Sequence, residues 1–239
     1  MQLSETIIEL EDLELKPKLS EKLKRIDGHY ISHEIQHLLH FEKGFLFTIK
    51  SLLIRPGKAI REFLFEDREK YIKPVLFLIF TSLIFTFIAH SLFPKITFFN
   101  IDGIVSLKGK IRAKEIGKWT DSHIGYAQLF MGICVAFWIN FFFKKFKYSI
   151  YEILVLVSFV FGEGILILTF LMVPAKLFKS QNLMSIALVI YFIYIIWAIG
   201  QFFGEKKIIN YIKSILVYCL GNASYTGILI LIAYLLKFL

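Results

Sequence analysis

The chain has 239 residues, of which 56% are hydrophobic and 17% aromatic, and its formal net charge is +9. A soluble domain of this length cannot bury so much apolar surface, and the mean hydropathy of +0.64 agrees with that exclusion. The excess of Lys and Arg is typical of cytoplasmic loops that meet anionic lipid headgroups, so no direct binding to nucleic acid is expected. The composition predicts an all-α integral membrane protein whose first partner is the lipid bilayer.

Residues 1–72 are predicted to form a cytoplasmic region of amphipathic helices, because apolar residues recur there at helical spacing. Within this region, His33-Glu34-Ile35-Gln36-His37 has the H-E-x-x-H form in which two imidazoles one turn apart bind zinc. The motif precedes the apolar runs, and no third ligand with a supporting context follows it. A surface or packing face of histidines is therefore favoured, and no metal or cofactor is predicted. A zinc-dependent hydrolase using His33, Glu34 and His37 remains an alternative.

The segment from Gly44 to Pro74 is predicted to form two short helices. Arg55-Pro56-Gly57 ends the first helix, because a proline pushes the residue before it out of the helical region. Pro56 can then open the second helix, whose apolar face is Ile60, Phe63 and Leu64. Basic residues line both pieces, which suits helices lying among lipid headgroups. A cap packed on the cytoplasmic ends of the spans is equally compatible with this pattern.

Five apolar runs follow, each near the length of about 20 residues that crosses a bilayer. They predict a transmembrane domain over residues 73–239, in which Pro174 ends the third span. Residues 1–73 contain thirteen Lys and Arg residues, so the N-terminus is expected in the cytoplasm of a bacterial inner-membrane, multi-pass protein. The predicted spans are about 73–93, 127–143, 153–173, 184–203 and 212–236.

The outside loop at about 95–125 contains Asp102-Gly103 between alternating apolar residues. Asp-Gly is favoured in tight type I′ turns, where both central residues have positive φ. The loop is therefore expected to form a small β-hairpin.

Glu163 lies midway along the third span, between Gly162 and Gly164. An ionisable residue at that depth is costly unless it is neutral, paired or hydrated, so it indicates an ion, proton or pore-lining role or a structural hydrogen bond between helices. In the last span, Ala223 and Gly227 have the small-xxx-small spacing of a packing seam, within the chain or between protomers. Polar residues of other spans that could bond to Glu163 are Asn140, Asn222, Tyr225 and Gln201.

The stretch from Lys43 to Pro74 contains the patterns K-G-F-L-x-T-I-K, L-L-x-R-P-G-x-A-I-R-E-F and R-x-x-Y-x-x-P. These patterns resemble a family of uncharacterised polytopic membrane proteins of Bacteroidota, a domain of unknown function. The resemblance implies a membrane-embedded protein and marks this stretch as an interface. The matching positions singled out for that role are Gly44, Thr48, Arg55, Pro56, Gly57, Arg61, Arg68 and Pro74.

In size and number of spans, the chain is similar to the small membrane accessory proteins of type VI-B CRISPR systems. That resemblance implies a role in modulating an antiphage RNA-interference effector. The leading hypothesis is a non-enzymatic accessory or regulatory protein with a protein partner or a homo-oligomeric state. The runner-up is a channel or small-solute transporter with Glu163 in its pathway.

Overall fold

A computed structural model describes residues 44–92 and 124–235. Its contacts divide the chain into the units Met1–Lys43 and Gly44–Leu239, and the described residues all fall in the second unit. Residues 44–72 therefore pack with the long apolar helices, although the sequence grouped them with the N-terminal region. The histidine motif and the expected outside β-hairpin lie outside the described residues, which are helical apart from turns and short connections.

Two short helices open the described chain. Helix α1 is Gly44–Ile54 and helix α2 is Pro56–Phe65, with Pro56 in its first turn. Arg55 separates them with φ −147° and ψ 60°, which is the non-helical backbone that a following proline imposes. The predicted break and the predicted apolar face of α2 are both confirmed, because Ile60, Phe63 and Leu64 are buried. We call α1 and α2 together the hairpin.

Five long helices follow the hairpin: α3 Pro74–Leu92, α4 Ile124–Phe142, α5 Ile150–Leu177, α6 Gln181–Phe202 and α7 Ile208–Leu235. Helix α5 is central, because it packs against α3, α4 and α6 and also against α2 of the hairpin. Helix α7 packs against α4 and α6. We call the end of the bundle where α3, α5 and α7 begin, and α4 and α6 end, the hairpin end.

The hairpin is joined to the bundle by aromatic rings. The ring of Phe159 on α5 packs edge-on against Phe63 of α2 with centroids 5.1 Å apart, and lies 5.9 Å from Phe77 of α3. Phe77 in turn lies 5.6 Å from Phe45 of α1. Aromatic pairs in such tilted and edge-to-face arrangements stabilise a core beyond their buried area. The hairpin is thus part of the same apolar core as α3 and α5.

Within residues 44–92 and 124–235, four helices are long and apolar enough to cross a membrane: α3, α5, α6 and α7. The second predicted span, about 127–143, corresponds to α4, whose stretch Tyr126–Phe142 is apolar but shorter. Large side chains on the outer faces, such as Phe87, Phe137 and Phe170, are exposed, as expected for surfaces that contact lipid rather than water. The described residues are those of a helical membrane protein.

The prediction that Pro174 ends the third span is wrong. Helix α5 continues through Pro174 to Leu177. A proline has no N–H for the carbonyl four residues earlier, here that of Phe170. Its own carbonyl still accepts a bond from the Phe178 N–H at 3.0 Å. Membrane helices tolerate such a proline where neighbouring groups accommodate the lost bond.

Candidate functional site

The hairpin and the end of α6 satisfy each other's unpaired backbone groups. The first N–H groups of a helix have no partner within it, and Arg55, at the N-cap of α2, makes no side-chain capping bond. Helix α6 supplies a partner for one of these N–H groups. The Gly57 N–H donates to Gln201 Oε1 at 2.7 Å. This bond of Gln201 to α2 was not predicted from the sequence. The only signal was a polar residue at the end of an apolar run.

The C-terminal end of α6 is satisfied in return by Arg61 of α2. Its Nη1 donates to the backbone oxygen of Phe202 at 2.7 Å and to that of Gln201 at 3.1 Å. Both carbonyls belong to the last turn of α6, where partners within the helix run out and a cation also interacts favourably with the helix dipole. We call the Gly57–Gln201 bond and the Arg61 bonds the reciprocal caps.

Gly57 lets the two backbones approach closely enough for these bonds. A Cβ at position 57 would lie 2.6 Å from Gln201 C and from Phe202 N, both of which are backbone atoms. Any side chain at this position therefore forces α2 and α6 apart.

Helix α7 holds the end of α6 as well. The Asn210 side chain of α7 donates to the oxygens of Phe203 and Gly204 at 2.9 and 3.1 Å.

Thr48 ties α1 to the segment that leads into α3. Its side-chain hydroxyl donates to the Gly44 oxygen at 2.7 Å and accepts from the Ile72 N–H at 3.1 Å. Thr48 is fully buried, so the Ile72 N–H has no access to water as a substitute. Two residues later, Pro74 begins α3. The predicted positions Gly44, Thr48 and Pro74 therefore fix how the hairpin enters the bundle.

Arg55 and Arg68 have weaker roles in the hairpin. Arg55 Nη2 lies 4.0 Å from Glu62 Oε2 and is 44% exposed, while Lys70 Nζ lies 3.7 Å from the other oxygen of Glu62. Exposed pairs of this kind contribute little stability. Arg68 donates to the Leu64 oxygen at 3.2 Å near the end of α2. Of the eight predicted interface positions, Pro56, Gly57 and Arg61 thus face α6 or the core, and Arg55 and Arg68 face outward.

Tyr71 is a buried tyrosine just before α3. It is only 6% exposed, and burial, reinforced by the nearby Glu62 carboxylate, raises the pKa of Tyr71 to about 12. Its hydroxyl lies near Glu62 and Ser51, yet it forms no hydrogen bond of acceptable geometry among the described residues. The ring packs edge-on against Phe47 and Phe63. Tyr71 therefore acts mainly through its ring.

Glu163 is 1% exposed on the central helix. Its Oε2 has no hydrogen-bond partner among the described residues. Its glycine neighbours allow rings to approach the backbone, since a Cβ at Gly162 would lie 2.7 Å from the Phe77 ring and one at Gly164 would lie 3.0 Å from the Tyr191 ring. The geometry thus places an unpaired carboxyl in the middle of the bundle.

The other polar residues predicted for the membrane lie apart from Glu163. Asn140 is exposed near the end of α4, and Gln201 bonds to Gly57. Asn222 lies beside Tyr218, in a second polar group where Tyr191 stands near Tyr218 and Gln128. Like Glu163, Gln128 has a buried side-chain oxygen without a partner among the described residues.

The packing seam of α7 is displaced from the predicted pair. Gly221 makes the close approach to α4, because a Cβ there would lie 2.9 Å from the Val135 Cα. Ser224 accepts a bond from Trp138 Nε1 at 2.9 Å. Ala223 is exposed and Gly227 has no atom within 4 Å of a Cβ position. The seam within the chain therefore runs through Gly221 and Ser224.

No group of three or more metal-ligating side chains occurs in the part of the chain that the structure describes. Nothing there favours the hydrolase alternative, whose residues His33, Glu34 and His37 lie outside it.

The model of a family described as "Protein of unknown function (DUF3667)" matches residues 42–86, which cover the hairpin and most of α3. The match is consistent with the resemblance to an uncharacterised family. No curated protein and no solved structure matches the chain.

Proposed function

We propose that this chain is a non-enzymatic accessory or regulatory protein of the bacterial inner membrane, with five spans, a cytoplasmic N-terminus and the hairpin at the cytoplasmic boundary. The reciprocal caps carry the proposal. These bonds hold the hairpin as a fixed part of the bundle. They are formed by backbone groups, the Gln201 side chain and the Arg61 guanidinium, and not by a set of catalytic side chains. Fusions of reporter enzymes test the topology, which fails if positions 73 and 144 report opposite sides.

The outward face of α1 supports a location among lipid headgroups. Leu46, Leu53 and Ile54 are 66%, 46% and 64% exposed, and Lys50 lies on the same face at helical spacing. An apolar face with a cationic rim binds the boundary between headgroups and acyl chains. Each Lys or Arg near an anionic surface contributes about 1 kcal/mol. The hairpin's first partner is therefore a bilayer with anionic headgroups.

An environment-sensitive fluorophore on Leu53→Cys, in a Cys219→Ser background, tests this contact. In vesicles rich in phosphatidylglycerol, we expect the emission to shift to the blue relative to vesicles of phosphatidylcholine alone. Lys50→Gln should reduce the shift, whereas Lys206→Gln, which removes an exposed lysine outside the hairpin, should leave it intact. Identical, water-like emission in both lipids would contradict the proposal.

The accessory role requires a protein partner or a second copy of the chain. Crosslinking in native membranes, followed by mass measurement of the adducts, would identify either one. The similarity to the accessory proteins of type VI-B CRISPR systems implies a more specific role, the modulation of an antiphage RNA-interference effector. This role stays a prediction, and it fails if deletion of the protein leaves effector-driven phage resistance unchanged.

The second candidate function is a channel or small-solute transporter with Glu163 in the pathway. The unpaired carboxyl at mid-helix favours it, because ionisable groups at that depth mark ion and proton pathways. Ion-flux assays in liposomes test it. We expect Glu163→Gln to abolish flux and Glu205→Gln, at an exposed site, to preserve it. Equal silence of the wild type and Glu163→Gln would remove this candidate.

A further inference from the structure

Lys213 is a charged side chain in the first part of α7, at the hairpin end of the bundle. It lies five residues after Ile208, where α7 begins, which is about 7 Å along the helix axis, and it is half-buried. Its ammonium reaches the end of α4. There Nζ donates to the Phe142 oxygen at 3.2 Å and lies 5.6 Å from the centroid of the Phe143 ring.

These contacts use only part of the capacity of the ammonium. An ammonium has three N–H donors, and one of them satisfies the carbonyl of Phe142, the last residue of α4. Among the described residues, Lys213 has no second hydrogen-bond acceptor and takes part in no ion pair. A charge in apolar surroundings is costly without a counter-charge. The remaining donors therefore favour an anion that comes from outside the chain.

Two further lysines follow the same ring. Lys144 and Lys145 are exposed and come directly after Phe143, in a short 3₁₀ turn. The start of this turn is held in place because the Phe143 ring stacks on that of Phe203, with centroids 3.9 Å apart. Three positive charges therefore lie at the end of α4.

The acidic side chains of the neighbouring segments do not neutralise these charges. Glu152 accepts a hydrogen bond from the Ser149 N–H at 2.7 Å, within the capping box of α5. Glu205 is exposed in the turn before α7, and it forms none of the ion pairs of residues 44–92 and 124–235. An excess of positive charge thus remains at the junction of α4 and α7.

The side chains beside Lys213 on α7 are apolar and face outward. Ile209, Ile212 and Leu216 are each about half exposed, and they precede or follow Lys213 by four, one and three residues, which places them on the same side of the helix. A surface of this kind contacts acyl chains. A free anion or an acidic peptide would leave it uncovered, whereas a lipid supplies a phosphate and an acyl chain together.

We propose that Lys213, together with Lys144 and Lys145, binds the phosphate of one anionic lipid at the junction of α4 and α7. The phosphate oxygens accept hydrogen bonds from the ammonium groups, and the acyl chains lie along the exposed apolar face of α7. The inference rests on the proposed location of the chain in a bilayer, but not on its orientation. It assigns one lipid to one site, in addition to the general attraction of α1 to anionic headgroups.

Native mass spectrometry of the full chain in an uncharged detergent tests the site. The delipidated protein is titrated with phosphatidylglycerol and, separately, with phosphatidylcholine of the same acyl chains, whose choline already neutralises the phosphate. We expect one phosphatidylglycerol per chain to bind about tenfold more tightly, as a hydrogen bond to a charged group provides. Equal binding of the two lipids would overturn the proposal, and so would displacement of phosphatidylglycerol by inorganic phosphate at the same concentration.

Four variants locate the binding. Lys213→Gln should lose most of the preference for phosphatidylglycerol, whereas Lys213→Arg keeps the charge and should keep the preference. The double variant Lys144→Gln with Lys145→Gln changes only exposed side chains, so its fold is not at risk, and it should weaken binding by about fivefold for each lysine removed. The matched control is Lys58→Gln, which removes an exposed positive charge of α2 and should bind as the wild type does.

The proposal is overturned if Lys213→Gln or the double variant keeps the wild-type preference, or if Lys58→Gln loses as much of it as Lys213→Gln. The fluorophore on Leu53→Cys reports the outward face of α1 and does not involve Lys213. If the wild type shows no preference for phosphatidylglycerol while that fluorophore still shifts to the blue, the lipid site is refuted and the proposed location among headgroups stands.

Discussion

Replacing Gly57 by alanine should loosen the hairpin, although alanine is the better helix former. The new Cβ would lie 2.6 Å from two backbone atoms of α6, whereas ordinary contacts begin at 3.4 Å. The helices must therefore separate by about 0.8 Å, the difference between those two distances. That movement stretches the Gly57–Gln201 bond from 2.7 Å to the limit of a hydrogen bond.

The cost follows from two opposed effects. Overpacking a tight contact costs about 1–3 kcal/mol, and the weakened bond adds about 1 kcal/mol. Against this, alanine gains up to about 1 kcal/mol in helix propensity. We expect a net loss of about 1–3 kcal/mol, or about 2–12 °C in the midpoint of thermal unfolding for a chain of this size.

Thermal unfolding of the purified protein in one detergent provides the assay, with Gly227→Ala as the matched control. Gly227 lies in α7 with no atom within 4 Å of a Cβ position, so only helix propensity acts there. Its midpoint should stay equal or rise. If Gly57→Ala unfolds at or above the wild-type midpoint, the close approach of α2 and α6 does not hold the hairpin, and the reasoning is refuted.

Three further substitutions probe the same region by thermal or chemical unfolding. Thr48→Val leaves the buried Ile72 N–H unpaired and should cost about 1–3 kcal/mol, a loss that Thr48→Ser should avoid. Arg61→Lys keeps the charge but loses the planar guanidinium that reaches two carbonyls, so it should cost about 1–2 kcal/mol, and an unchanged midpoint would contradict the reciprocal caps. Because burial raises the pKa of Tyr71 from 10.0 to about 12, the folded state holds that proton more tightly than the unfolded state. Its contribution to stability is complete below pH 10 and is lost as pH rises toward 12, and Tyr71→Phe should flatten that decline.

Much of the helical framework could be predicted from local patterns. The break at Arg55-Pro56 and the apolar face of α2 depend on neighbouring residues only, so the sequence was sufficient for both. Pro174 was misread because a proline near a helix end breaks one hydrogen bond without forcing the chain to turn. Whether the hairpin would lie on lipid or on the bundle was left open, and the structure shows one side of it docked on α6 and an apolar side exposed.

By itself, the sequence determined that the chain is built of long apolar helices with an ionisable residue in the middle of one of them. The length of an apolar run and the helical spacing of its residues are visible in a short stretch of sequence, without reference to residues that are distant along the chain. Only the tertiary structure decided what the motif residues do. Gly57 and its partner Gln201 are 144 residues apart along the chain, and no local pattern states which helix end will satisfy another. The same holds for Glu163, since whether a buried carboxyl finds a partner depends on which side chains the neighbouring helices turn toward it.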